Sequence, residues 1–211
     1  MDLTPDELLT TTRTVRKRLD LTRPVPLDLI RECLTIAMQA PSGSNRQGWH
    51  WMVVTDAAQR AAIGAVYRRA TEAYLASPRS ASRLFAEDPD RAAVQRRVGD
   101  SVAYLGERMG EVPVHVIPCI HADQLPAGNQ AALWGSILPA TWSFMLAARA
   151  RGLGTAWTTL HLAHEADVAE ILGLPDGIRQ AALVPTAFTV GTDFRPAARA
   201  PLDDVLHVDT W

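Results

Sequence analysis

Four groups of residues in this 211-residue chain carry polar chemistry that a bare scaffold does not need. Arg13, Arg16, Lys17 and Arg18 put four cations within six positions, with the hydroxyl of Thr14 between the first two. Such a run is commonly a solvated basic face. Arg13 and Arg16 are also spaced to converge on a phosphate dianion, where charge-assisted hydrogen bonds are worth roughly 1.5–3 kcal/mol each. The second group is Pro41-Ser42-Gly43-Ser44-Asn45 with Gln47, a turn dense in hydroxyl, amide and backbone donors. Pro41 stops the preceding helix and Gly43 offers a position for positive φ, while Ser42, Ser44 and Asn45 can face a polar ligand. Read alone, the turn is equally an ordinary helix-to-strand connection. The third group follows Gly152-Leu153-Gly154 and holds Thr158, Thr159 and Leu160; the fourth is Arg199, just ahead of Pro201 and Leu202.

Other chemistries lack their parts. His161 and His164 stand three apart with Glu165 beside them, but no third residue completes a metal set. The six histidines form no nucleophile–base–acid group, and no Gly-x-Gly-x-x-Gly, Walker loop or Gly-x-Ser-x-Gly elbow occurs. Cys33 and Cys119 have no further partners for a disulfide framework or zinc knuckle, so a reducing cytoplasm is the expected setting. A formal net charge of −2 argues against a nucleic-acid footprint, and no aromatic is interleaved with the basic cluster to stack bases. No basic segment followed by an apolar one opens the chain, so neither export nor membrane insertion is expected.

The elements that must position these groups read as follows. Thr4-Pro5-Asp6-Glu7 is a helix start, and Leu27, Ile30, Leu34 and Met38 predict an amphipathic helix that ends before Pro41. Trp49 to Thr55 reads as a buried strand and Ala57 to Ala76 as a helix. The charged stretch Arg60 to Arg108 shows little dense apolar sequence and reads as a mobile, surface-lying part, a cover over a site. Val112 to Ile120 suggests a strand, with Pro113 and Pro118 demoting part of it to an edge or a strand start. Asn129 to Ala150 predicts a helix apolar nearly all round, buried at the centre and at a subunit interface. Gly152-Leu153-Gly154 closes that helix as a flexible cap and opens the segment Thr155 to Leu160, and a helix from Ala163 to Leu172, a strand over Ala181 to Gly191 and a docked apolar tail complete one domain, residues 1–211.

In this order the groups resemble the nitroreductase family of flavin mononucleotide (FMN) enzymes. Arg13-Thr14-Val15-Arg16 stands in place of Arg-Ser-x-Arg, Ala40 to Trp49 in place of Ala-Pro-Ser-x-x-Asn-x-Gln-Pro-Trp, and Gly152-Leu153-Gly154-Thr155 and Arg199-x-Pro201-Leu202 follow. The resemblance implies an α+β fold: a central mixed, mostly antiparallel sheet flanked by helices, in an intertwined homodimer with FMN at the subunit interface. It implies that Arg13, Thr14, Arg16 and Arg199 hold the phosphate and ribityl end. Pro41, Ser42, Gly43, Ser44 and Asn45 would reach the partner's flavin with Gln47 supporting the turn, and Thr158, Thr159 and the Leu160 backbone would face the ring. No side chain is implied as acid or base, because the chemistry resides on FMN. The implied activity is reduction of nitroaromatics, quinones or similar acceptors by NADPH or NADH. Its alternatives are a specialised flavin reaction, such as reductive dehalogenation or oxygen-dependent flavin fragmentation, and flavin storage without turnover. Gly48 departs from the family's Pro, Arg18 from an aromatic, and Thr159 from the acidic residue of some members.

Overall fold

The computed structural model describes residues 1–211. Helix α1 (Pro5–Thr11) starts on a reciprocal cap, the Thr4 hydroxyl accepting from the Glu7 N–H while the Glu7 carboxylate accepts from the Thr4 N–H. Helix α2 (Leu27–Ala37) buries Ile30, Cys33 and Ala37 and is capped at Met38, before Pro41 as its apolar spacing requires. Strand β1 (Trp49–Val54), helices α3 (Ala57–Ala76) and α4 (Pro89–Arg108), strand β2 (Val114–His121) and helix α5 (Ala131–Ala150) follow. Strand β3 (Leu153–Thr155), helix α6 (Glu165–Leu172) and strands β4 (Ile178–Gln180) and β5 (Val184–Phe188) complete the set.

Strand β2 is the axis of the sheet. It pairs with β1 along one side, and along the other with β5 at Val114–Val116 and then with β4 at Cys119–His121. Strand β3 adds to the far side of β5, and all four strand pairs are antiparallel. The single parallel pairing is the bridge from Thr14 to Thr155. The edge or strand-start reading drawn from the prolines is thus corrected: β2 is central, and all its residues but His121 are buried. Pro118 falls in the interval between β5 and β4, where a central strand tolerates a missing N–H, and its carbonyl takes the Ala181 N–H at 2.8 Å.

Alternation along β2 feeds two cores. Ile117 and Cys119 face Ile63, Tyr67, Leu105 and Met109 on the α3 and α4 side, while Val114 and Val116 face Ile30, Cys33, Phe144 and Met145 on the α2 and α5 side. The mobile-cover reading of residues 60–108 is therefore corrected too. Ile63, Tyr67 and Leu105 are at most 2% exposed, and only the segment between Ser77 and Asp88 lies outside the two long helices. Counting charge over the window hid a one-sided apolar stripe whose other faces carry the arginines.

Helix α5 is long and apolar enough to cross a membrane, yet Ile137, Ala140, Phe144 and Ala148 are fully buried in the fold. Trp142 remains exposed, so the burial is one-sided. Strand β3 ends at Thr155; Thr158 keeps one bridge, to Leu183, and Leu160–His164 forms a 3-10 turn. The strand expected over Ala181 to Gly191 narrows to β5.

Candidate functional site

The basic cluster is laid along the sheet by its apolar neighbours. Val15 and Leu19 are buried, and the Val15 N–H donates to the Thr155 carbonyl at 2.8 Å, continuing the sheet beyond β3. That approach requires Gly154: a Cβ there would stand 2.5 Å from Thr189 Cγ2 and 3.1 Å from Val15. With Val15 inside, the cations flanking it reach outward. Arg13 Nη1 donates to the Arg195 carbonyl at 2.9 Å, and Arg16 Nη1 to Ser101 Oγ on α4 at 3.2 Å. Arg16 has no carboxylate within ion-pair reach. Burial pulls its pKa below the usual arginine value, a loss partly offset by Tyr67 and Tyr74, but a guanidinium stays charged at any working pH. A half-buried cation met by a single hydroxyl is only partly compensated by its own chain.

The turn after α2 is held by its own side chains. The Gln47 N–H donates to Ser42 Oγ at 3.1 Å and Gln47 Nε2 to Asn45 Oδ1 at 2.9 Å. The Gly43 N–H donates to Ser136 Oγ on α5 at 3.0 Å. The expected use of Gly43 for positive φ is corrected: the left-handed residues are Ser44, Asn45 and Gln47, each at φ 52°. Gly43 instead lies close to α5, where a Cβ would stand 3.4 Å from Ser136 Oγ. Non-glycine residues in this region carry strain of about 1–2 kcal/mol each, so the turn is a held shape rather than a slack connection. Pro41, Ser44 and Asn45 project outward, exposed.

In the third group the polar atoms divide. The Thr158 hydroxyl donates to the Leu183 carbonyl at 2.6 Å, and its backbone N–H and C=O both pair with Leu183. Thr158 is buried and positions the bend. Thr159 is exposed, and the N–H groups of Thr159 and Leu160 donate to no group of the chain.

Arg199 lies on the exposed tail, its Nη1 bonded to the neighbouring Ala198 carbonyl. The tail leaves the body through Phe194, clamped by the Arg18 guanidinium at 4.2 Å and the Arg149 guanidinium at 4.7 Å from its ring centroid. Arg18 also donates to Asp193 at 2.8 Å, so this arginine ties the start of the tail to the body.

One chain therefore brings Arg13, Thr14, Arg16 and Thr158–Leu160 to one edge of the sheet through the Thr14–Thr155 bridge, with Arg199 arriving on the tail that Arg13 holds. The Pro41–Gln47 turn is anchored elsewhere, on α5, and faces outward. Sequence reasoning missed Ser136, Ser101 and Phe194. Ser136 left little signal, being one of three hydroxyl residues, with Thr141 and Ser143, in a largely apolar helix.

Residues 9–191 match the Nitroreductase family, which is most of the chain. The chain belongs to that family. A chloronitrobenzene nitroreductase of Comamonas testosteroni is 38% identical over 74 residues, a stretch that takes in 35% of this chain and 30% of that relative's length. Among solved structures, the FMN and NADPH-dependent nitroreductase NfnB from a sphigopyxis strain superposes with a TM-score of 0.72 at 22% identity, covering 99% of this nitroreductase-family chain and 100% of that one. An iodotyrosine deiodinase bound to FMN and 3-iodo-L-tyrosine superposes with a TM-score of 0.70 at 19% identity, covering 98% of each. These likenesses establish the α+β nitroreductase fold.

Proposed function

We propose that this chain is an FMN-dependent oxidoreductase that takes electrons from NADPH or NADH and delivers them to a nitroaromatic, quinone or similar conjugated acceptor. The observation that carries the reading is Arg16, a half-buried cation without a carboxylate, beside a Thr14 hydroxyl and an edge of free backbone donors. That donor set fits a phosphorylated, electron-rich planar group. Arg13, Thr14, Arg16 and Arg199 would hold its phosphate and ribityl end, with Thr159 and the Leu160 backbone against the ring and Thr158 holding the bend. FMN held there would supply the redox chemistry between a nicotinamide and the acceptor. The protein's part is to orient both partners in turn and hold donors where negative charge builds up. A nitro group taking two electrons and two protons leaves one oxygen as water and becomes a nitroso group.

The second copy enters because the Pro41–Asn45 turn is anchored on α5 and largely exposed, with no bond to its own chain's basic cluster. In this reading it reaches the flavin of a partner in a homodimer, with Gln47 fixing its shape. The setting is the cytoplasm, where the buried thiols of Cys33 and Cys119, pushed up to about 11 and about 12, stay reduced and inert.

The test is optical. Purified protein is expected to carry a yellow chromophore that NADPH or NADH bleaches anaerobically and that added nitroarene or quinone restores. Protein that takes up no FMN would sink the reading, and flavin that neither nicotinamide reduces would sink the oxidoreductase part of it.

A further inference from the structure

We infer that His161 is a positioning residue: pinned to Gln180, it fixes the Thr159–Leu160 bend and so aims the two backbone N–H groups that the chain leaves free there. The inference rests on the FMN reading for what those donors meet, but not for how the bend is held.

The bend lies between two clamps. On one side stands Thr158, whose hydroxyl and backbone N–H both donate to the Leu183 carbonyl and whose own carbonyl accepts the Leu183 N–H at 2.8 Å. On the other side the 3-10 turn Leu160–His164 runs directly into α6 at Glu165, and Gln180 of β4 grips that residue twice. The Gln180 N–H donates to Glu165 Oε1 and Gln180 Nε2 to the Glu165 carbonyl, both at 2.9 Å. The Leu162 N–H closes the turn on the Thr159 carbonyl at 3.1 Å.

His161 is the buried residue of that turn, fully enclosed beside the Gln180 side chain. Because Gln180 Nε2 is committed to the Glu165 carbonyl, the acceptor end of the amide faces the other way. That oxygen is buried and takes no bond from elsewhere in the chain, and the imidazole is the donor beside it. Burial pulls the ring down to about 4, so it is neutral near pH 7 and carries one N–H. Packing alone does not call for a polar ring here. The neighbouring Leu160 already lies against the apolar core around Ile63 and Tyr67, where a phenyl ring would bury without the desolvation penalty of an imidazole. What the imidazole adds is direction, a donor at a fixed place that ties the middle of the turn to the clamp at its end. With Thr158 and His161 both fixed, the planar peptide units between them have little freedom to rotate. Donors held this way act on a bound ring without reorganising, and hydrogen bonds to ring atoms are a means by which a protein tunes a flavin.

The test compares the parent with three variants. His161→Phe keeps the volume of a ring and loses its nitrogens, while His161→Asn and His161→Gln return a neutral N–H at the reach of Nδ1 and of Nε2. In flavin-free protein, hydrogen exchange at the Leu162 N–H is expected to be about tenfold faster in His161→Phe than in the parent, and to recover in one of the amide variants. In flavin-loaded protein, the affinity for reduced FMN relative to oxidised FMN is expected to fall about tenfold in His161→Phe, a drop of about 30 mV in the two-electron midpoint potential, and to recover in the same amide variant. His161→Leu is read in the same way should the phenyl ring not fit. Parental exchange and parental potential in the apolar variant overturn the inference. So does exchange that quickens evenly across the molecule, which would make His161 a core filler, and so does a faster Leu162 with an unchanged potential. Protein that takes up no FMN but shows the exchange result, with its rescue, retains the brace and removes the FMN reading.

Discussion

Single side chains set the charge economy of this protein, and Arg16 is the clearest case. Its replacement by alanine removes a guanidinium that no carboxylate of the chain satisfies, so folding loses little while an anionic ligand loses a charge-assisted bond. Arg16→Ala is expected to weaken FMN binding roughly 10- to 100-fold with a small change in the melting temperature of the apoprotein; comparable occupancy in variant and parent would count against the role. Two histidines act in the opposite sense. His115 and His161 are fully buried, and desolvation pulls both from 6.5 to about 4. His115 Nε2 donates to the Met109 carbonyl at 2.8 Å, and His161 is buried beside the Gln180 side chain. Between pH 6.5 and about 4 the unfolded chain binds a proton at each position that the folded chain refuses, so stability falls as the solution is acidified through that window. The loss is on the order of 3 kcal/mol per histidine at its low end. Chemical denaturation at pH 7 and pH 5 should show a smaller difference for His115→Gln than for the parent, even if the variant is less stable at both.

At the scale of elements, the fold is secured by close approaches. Helix α3 meets the segment after α4 at Gly64, where a Cβ would come within 2.6 Å of the Gly110 backbone. Alanine is the better helix former by about 1 kcal/mol, but a clash with backbone cannot be relieved by a rotamer change, and overpacking of this kind costs about 1–3 kcal/mol. Gly64→Ala is therefore expected to lower the melting temperature by several degrees; an unchanged or raised value would mean that α3 is not seated in the core. The turn anchored on α5 tests a second junction. Ser136→Ala leaves the Gly43 N–H without its acceptor, about 1 kcal/mol of restraint on a turn whose shape is already strained. Weaker flavin retention in that variant, with secondary structure intact by circular dichroism, is the expected result.

Across the whole molecule, apolar surface remains that one chain does not cover. Leu202, Val205, Val208 and Trp211 on the tail are more than half exposed, Trp211 completely. Ile36 and Met38 on and after α2, and Trp142 on α5, are also exposed. In the proposed homodimer the tail docks against a second copy, so removal of residues 202–211 is expected to shift the sedimentation equilibrium toward monomer and to make thermal stability fall on dilution. An unchanged dimer would place the docking of the tail elsewhere.

Local rules in the sequence determined a good deal. Capping at Thr4, the α2 stripe ahead of Pro41, the aromatic β1 run and the spacing of Arg13, Thr14 and Arg16 each act over a few residues, and motif order was enough to indicate the family. Tertiary structure alone decided the rest. The centrality of β2 despite Pro118 depends on where two short strands meet beside it, and the burial of α3 depends on which of its faces meets the sheet. The anchor of Gly43 on Ser136 joins residues far apart in the chain. Periodicity fixes which residues share a face, but which faces meet is settled by long-range packing that no local pattern encodes.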